Sequence, residues 1–117
     1  MTEYYIVTGT GYATHDFDWI SRNIPEGMNA QLVDVTSSYA VLSLMGPKAR
    51  DILQQVTRDD VSNEGFKFGT ARTIGIAGCP VNALRVTYVG ELGWELHLPV
   101  EYATTVYDAL MEAGRDF

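Results

Sequence analysis

The chain has 117 residues, 46% of them hydrophobic and 20% charged, which suits one domain able to bury a core rather than a disordered chain. Its eight Lys and Arg are scattered among fifteen acids for a net charge of −7, so nucleic acid and anionic membrane are poor partners. No apolar run approaches the ~18 residues of a membrane-crossing helix, and the lone cysteine, Cys79, excludes an intrachain disulfide and a thiolate metal cluster.

Met1-Thr2-Glu3 leads into a strand-like run with no basic stretch, so no secretory signal is expected. Tyr4 to Thr8 (YYIVT) is the first expected strand, followed by a turn at Gly9-Thr10-Gly11. Ala13, Phe17, Ile20 and Ile24 then recur at helical spacing, with His15, Asp16, Asp18 and Arg22 off that stripe. Thr14 is the expected N-cap, with acids in the first turn, and Pro25-Glu26-Gly27 ends the helix. Gln31 to Thr36 reads as a second strand and Tyr39 to Met45 (YAVLSLM) as a third. The weak alternation of the third predicts cover on both faces. Gly46-Pro47 opens a second helix, with Pro at its first position and an apolar stripe of Ala49, Ile52, Leu53 and Val56.

Arg58 to Phe68 is a polar loop or short irregular helix, Thr70 to Ala77 a fourth strand, and Gly78-Cys79-Pro80 a break. Val81 to Val89 and Trp94 to Leu98 read as the arms of a hairpin around Gly90-Glu91-Leu92-Gly93. Pro99 starts a final helix with the stripe Ala103, Val106, Tyr107, Leu110 and Met111, ending at Gly114. The expected order is β-α-β-β-α-β-β-β-α. Several connections are too short for a crossover helix, so the fold class is α+β, a mainly antiparallel sheet with three helices. Both ends look cut: the chain opens almost inside a strand and stops directly after a helix, as an excised piece of a longer protein would.

Several arrangements of reactive residues can be weighed. Gly9-Thr10-Gly11-Tyr12-Ala13-Thr14, with Asp34 further on, has the layout of a dinucleotide fingerprint. Thr14 stands where close helix–strand packing wants Gly or Ala, and no further βαβ unit follows, so an ordinary loop feeding a helix is the better reading. His15 and His97 are far apart and in no ligand spacing, and no metal site is expected. Cys79 lies between Gly78 and Pro80 without a nearby histidine, and no G-x-S-x-G occurs; no catalytic residue is assigned.

The hairpin carries more. Glycines at both ends of its loop imply a backbone position at positive φ or a close approach by another group. Glu95 sits between Trp94 and Leu96 inside a strand, where a carboxylate is costly unless paired or hydrogen-bonded. It can accept two parallel N–H donors, such as the 2-amino/N3–H edge of a pterin or guanine, or it can simply point to solvent. Pattern leaves the register open. Pairing Gly90 with Gly93 sets Tyr88 opposite Glu95 and Arg85 on the Trp94, Leu96, Leu98 face. A bulge at Gly93 instead puts Arg85, Thr87, Glu95 and His97 on one face and Tyr88 on the other, the cleaner pattern.

Tyr88 to Glu95 (YVGELGWE) closely resembles the YTGExGxE segment of the folate-binding aminomethyltransferase family. That family includes the glycine-cleavage T-protein and the C-terminal halves of dimethylglycine and sarcosine dehydrogenases. Ser43 to Val56 (SLMGPKARDILQQV) resembles its strand entering a G-P-x-A-R-x-x-L helix. Ile6 to Ile20 and Asp59 to Phe68 look specifically like the dehydrogenase branch. The resemblance implies tetrahydrofolate in a central cavity, with Tyr88 and Glu95 as its contacts and Glu95 on the pterin amino edge. In that branch FAD, in a separate domain, oxidises a small N-methyl amine, and folate captures the iminium to give 5,10-methylenetetrahydrofolate.

The resemblance also implies departures. The family's catalytic aspartate would fall before Met1 and an arginine near folate after Phe117. The family's first-turn asparagine aligns with Gly9, and its motif threonine with Val89. Residues 1–117 are therefore expected to be the central segment of such a domain, binding folate weakly and catalysing nothing alone. Glycine-cleavage aminomethyl transfer, and a non-catalytic relative resembling the pyruvate dehydrogenase phosphatase regulatory subunit, are the alternatives. The expected compartment is bacterial cytoplasm or mitochondrial matrix. The sequence specifies neither the amine nor an oligomeric state.

Overall fold

The computed structural model describes residues 2–117 and divides them into two compact units, one ending at Val35 and one spanning Thr36–Phe117. In the first unit a 3-10 turn at Thr10–Tyr12 runs into helix α1, Ala13–Asn23. The N-cap position is Tyr12, without a side-chain cap, so Thr14 lies inside the first helical turn and not at its cap. Ile20 and Ile24 are half-buried, whereas Phe17 stays 43% exposed, and no residue of α1 is fully buried. Local polar contacts stabilise its surface: Arg22 Nε donates to Asp18 Oδ1 at 2.9 Å, one turn apart. The Thr8 hydroxyl donates to Asp16, and this bond, followed by His15, holds the Asp16 carboxyl below its ordinary pKa.

The expected strands at Tyr4–Thr8 and Gln31–Thr36 do not form. A β-rich composition describes the surface a segment fits, and a strand exists only when a ladder accepts it. Neither segment enters one. Among the described residues the order is therefore α-β-α-β-β-β-α, three α-helices with one antiparallel sheet, and the α+β class holds.

That sheet belongs to the second unit. Its strands are β1 (Tyr39–Met45), β2 (Ala71–Ile76), β3 (Cys79–Leu84) and β4 (Gly93–Pro99), ordered β1-β4-β3-β2 with every neighbour antiparallel. β1 occupies the predicted span but lies at an edge: Val41 is 50% exposed, so it is not covered on both faces. Alternation sends Leu42, Leu44, Ile74, Ile76, Val81, Ala83, Trp94, Leu96 and Leu98 to one face. There they meet Ala49 and Leu53 of helix α2 (Ala49–Val56) and Val106 of helix α3 (Ala103–Ala113) to make the core. Pro47 stands two residues ahead of α2 and not at its first position. Gly114 follows α3 as expected, its N–H bonded to Leu110 O at 2.9 Å.

The tight hairpin is not the one the sequence suggests. β2 and β3 are joined by Ala77-Gly78 alone, with φ of 49° and 81°, the positive pair a type I′ connection requires. β3 and β4 are joined by the eight residues 85–92. The Val86 N–H turns back to Leu84 O at 2.9 Å, a three-residue turn centred on Arg85 that takes the chain off the β4 ladder. The last β3–β4 pair is thus Leu84 with Glu95.

Candidate functional site

The two glycines flanking residues 91 and 92 have different causes. Gly90 has φ +79° with open space where a Cβ would be. A Cβ on Gly93 would lie 2.6 Å from Met45 Cγ and 2.8 Å from Leu44 O. The body approaching Gly93 is therefore the end of β1, and the Gly46 N–H bond to Leu92 O at 2.8 Å closes the same corner. Both sequence explanations apply, one at each glycine, and the close approach is made by the chain itself.

Neither candidate register forms. Arg85 follows Leu84 and so falls on the core face with Trp94, as the unbulged parity requires, but the arms part there and Tyr88 never comes opposite Glu95. Its ring stands in the loop, 93% exposed. Glu95 faces away from the core, between Leu84 on β3 and Ser43 on β1. Its side chain keeps 28% exposure, and Oε2 lies 3.4 Å from Nε2 of His97, whose side chain is 3% exposed. Two positions apart on one strand, these side chains share a face. Glu95 is therefore neither sunk in the core nor turned wholly to solvent. His97, read from sequence as an ordinary strand histidine, is its neighbour. The signal was the two-residue spacing.

Behind Glu95 lies a cluster that patterns did not reveal. Arg85, 8% exposed, donates through Nη1 to Phe66 O and through Nη2 to Asn63 Oδ1 at 2.7 Å. Arg50 donates to the same Asn63 oxygen at 2.7 Å and to Val61 O at 2.9 Å. Both guanidiniums lie over Trp94, at 5.6 and 5.8 Å from its ring centroid, and Phe66 meets Trp94 edge-on at 6.2 Å. Burial, then the charge of Arg50, lowers the Arg85 pKa from its ordinary value, with Glu64 opposing. This cluster pins loop 57–70 to the start of loop 85–92 and fixes Trp94, the residue before Glu95. An arginine inside the apolar run ALRVTYV was the available sequence signal.

Loop 57–70 is itself ordered by polar contacts. The Asp60 carboxylate accepts the Ser62 N–H at 2.9 Å, and a side chain on Gly65 would collide with it. Asp59 Oδ2 accepts the N–H of Gly75 on edge strand β2 at 2.8 Å. Arg72 binds the carbonyls of Asp60 and Gly65 over the Phe66 ring.

Neither of two concavities is lined by Glu95 or Tyr88, although the first reaches Ser43, the cross-strand neighbour of Glu95. One, of about 460 Å³, lies among Leu42, Leu44, Ile52, Tyr107, Leu110 and Met111. The other, of about 350 Å³, borders Asp59, Thr73, Gly75 and Cys79. Among the described residues no cluster of three or more His, Cys, Asp or Glu could hold a metal, and no helix is long and apolar enough to cross a membrane. Gly9 precedes the 3-10 turn Thr10–Tyr12, and among the described residues no strand leads into it, unlike the strand–loop–helix of a dinucleotide cradle.

Human mitochondrial dimethylglycine dehydrogenase is 37% identical over 97% of the chain, and mouse mitochondrial sarcosine dehydrogenase 42% identical over 95%. The chain spans only 13% and 12% of their lengths. Among solved structures, heterotetrameric sarcosine oxidase from Corynebacterium sp. U-96, in complex with pyrrole 2-carboxylate, superposes with a TM-score of 0.74. It does so over 86% of this chain and 50% of its own, at 24% identity, a likeness of fold. The model of the GCVT N-terminal domain matches residues 1–117, and the chain belongs to that family.

Proposed function

We propose that residues 1–117 are the central segment of a tetrahydrofolate-binding domain in a flavin-dependent dehydrogenase of sarcosine- or dimethylglycine-like N-methyl amines. The observation that carries this reading is Glu95. It is a half-exposed carboxylate on the sheet face away from the core, held by β4 between Ser43 and Leu84. A carboxylate offers about four lone-pair sites, so it can take a pterin 2-amino group and N3–H side by side while still accepting from His97. Tyr88, exposed in the neighbouring loop, is the second proposed contact.

Bound tetrahydrofolate would supply the amine that captures an iminium one-carbon unit, giving 5,10-methylenetetrahydrofolate. The chain's own part is to hold the pterin edge and fix its orientation. In this reading FAD belongs to a separate domain of the parent protein, as in the family the chain resembles. The segment alone is expected to bind folate weakly and to be inactive. The dehydrogenase names of the relatives support the choice of branch, and their mitochondrial designation supports the matrix beside a bacterial cytoplasm.

The experiment is an anaerobic NMR titration of this chain with tetrahydrofolate. Binding weaker than micromolar, with shifts centred on β4 and loop 85–92 that Glu95→Gln abolishes, supports the reading. Equal binding by Glu95→Gln overturns it.

A further inference from the structure

We propose that His97 is the positioning residue of this site, setting the rotation of the Glu95 carboxylate so that both oxygens meet a planar N–H/N–H ligand edge together. The inference rests on the folate reading of Glu95.

Glutamate has three rotatable bonds and a broad terminal torsion, so an untethered carboxylate samples many planes. A bidentate acceptor needs one plane. Neither of its cross-strand neighbours, Ser43 and Leu84, is a cation that could choose that plane. His97 occupies the next position on the same face, with the uncharged Val41 and Asn82 opposite it. Its ring is almost wholly buried and therefore has little freedom to move, while Glu95 retains 28% exposure. The rigid member of the pair is the histidine.

A carboxylate only accepts, so the proposal assigns the tautomer in which Nε2 is the donor across the 3.4 Å to Oε2. That distance lies beyond the usual range for N–H···O. Such contacts commonly tighten when a ligand arrives. Fixing Oε2 by one lone pair fixes the carboxylate plane and leaves the second lone pair of Oε2, and all of Oε1, for the ligand. The same burial that would be wasteful for a solvent-facing strand residue is useful here, because a mobile histidine could not orient its neighbour.

The test uses two amides that differ in reach. In His97→Gln the side-chain nitrogen can occupy the place of Nε2; in His97→Asn it reaches only that of Nδ1. Tetrahydrofolate affinity is read by NMR titration for both variants, alone and combined with Glu95→Gln, with thermal midpoints measured in parallel. The proposal expects His97→Asn to weaken binding about ten-fold, and His97→Gln to stay within about two-fold of wild type, at similar midpoints. In the Glu95→Gln background the two His97 variants should bind alike. If both amides bind as wild type, or both fall together with their midpoints, His97 acts as structure only and the proposal is overturned while the folate reading stands. If wild type binds no tetrahydrofolate, or Glu95→Gln binds as wild type, the folate reading falls and takes the proposal with it.

Discussion

Replacing Gly93 by alanine tests why a glycine stands just before Trp94 and Glu95. The added Cβ would lie 2.6 Å from Met45 Cγ, 2.8 Å from Leu44 O and 3.0 Å from Met45 Cα. Ordinary carbon contacts begin near ~3.5 Å. Met45 can swing its Cγ aside, but the Leu44 carbonyl and the Met45 Cα are backbone, so β1 itself must retreat. Overpacking of this kind costs about 1–3 kcal/mol. Opening the corner also weakens the Gly46–Leu92 hydrogen bond of 2.8 Å, worth about 1 kcal/mol. The smaller entropy of the unfolded alanine chain returns roughly 0.4–1 kcal/mol. The net expectation is a loss of about 2 kcal/mol, or on the order of 10 °C in Tm for a domain of this size.

Urea and thermal unfolding measure it, and a paired series separates cause from coincidence. At Gly90, where φ is +79° and space is open, Asn should be milder than Ala because Asn tolerates that backbone. At Gly93, Asn should be worse than Ala because volume is the problem. Met45→Ala should not rescue Gly93→Ala. A Gly93→Ala protein within about 0.5 kcal/mol of wild type, or no worse with Asn, would refute the close-approach account.

Three further outcomes follow from the same structure. Arg85→Met keeps the stem over Trp94 but strands the buried Phe66 carbonyl, while Asn63 keeps its bond from Arg50 at 2.7 Å. Relief of guanidinium burial offsets part of the loss, leaving about 2 kcal/mol of destabilisation in urea unfolding. Ala77→Asn should raise stability by about 0.5–1 kcal/mol, since Ala77 is held at φ 49° ahead of Gly78 and Asn-Gly is the favoured pair for such a turn. The Asp60 carboxyl is held below its ordinary pKa by hydrogen bonds from Ser62. Its contribution is therefore present above the unfolded value near ~3.9 and is lost as pH falls through the lower folded value. The stability gap between wild type and Asp60→Asn should be flat from neutral pH down to that window and then close; a gap that widens in acid would contradict the assignment.

The sequence made some of this legible and hid the rest for physical reasons. YAVLSLM marked β1 to the residue, because a mostly apolar run bounded by Ser-Ser and Gly-Pro leaves little choice of ends. It did not reveal that β1 is an edge, since edge or centre depends on which strands arrive beside it. The stripes of α2 and α3 were visible at helical spacing, with Ala49, Leu53 and Val106 as their buried members. The run Val81–Val89 looked like one strand because each residue suits a sheet. Arg85 breaks it: its backbone pairs with Thr70 at 2.9 Å and its side chain turns inward to carbonyls from a distant loop. No local pattern encodes a partner nineteen residues away. Glu95 lies on a strand, where the sequence put it. Its pairing with Tyr88 was not available, because that depended on a hairpin register the long loop does not make.

The most direct measurement is the tetrahydrofolate titration of this chain beside its Glu95→Gln variant, followed residue by residue. The account predicts weak, saturable binding in the wild type, with shifts at β4 and loop 85–92, and its loss in Glu95→Gln at unchanged Tm. Equal binding by the two proteins, or shifts confined to the cleft lined by Leu42, Ile52 and Met111, would contradict it.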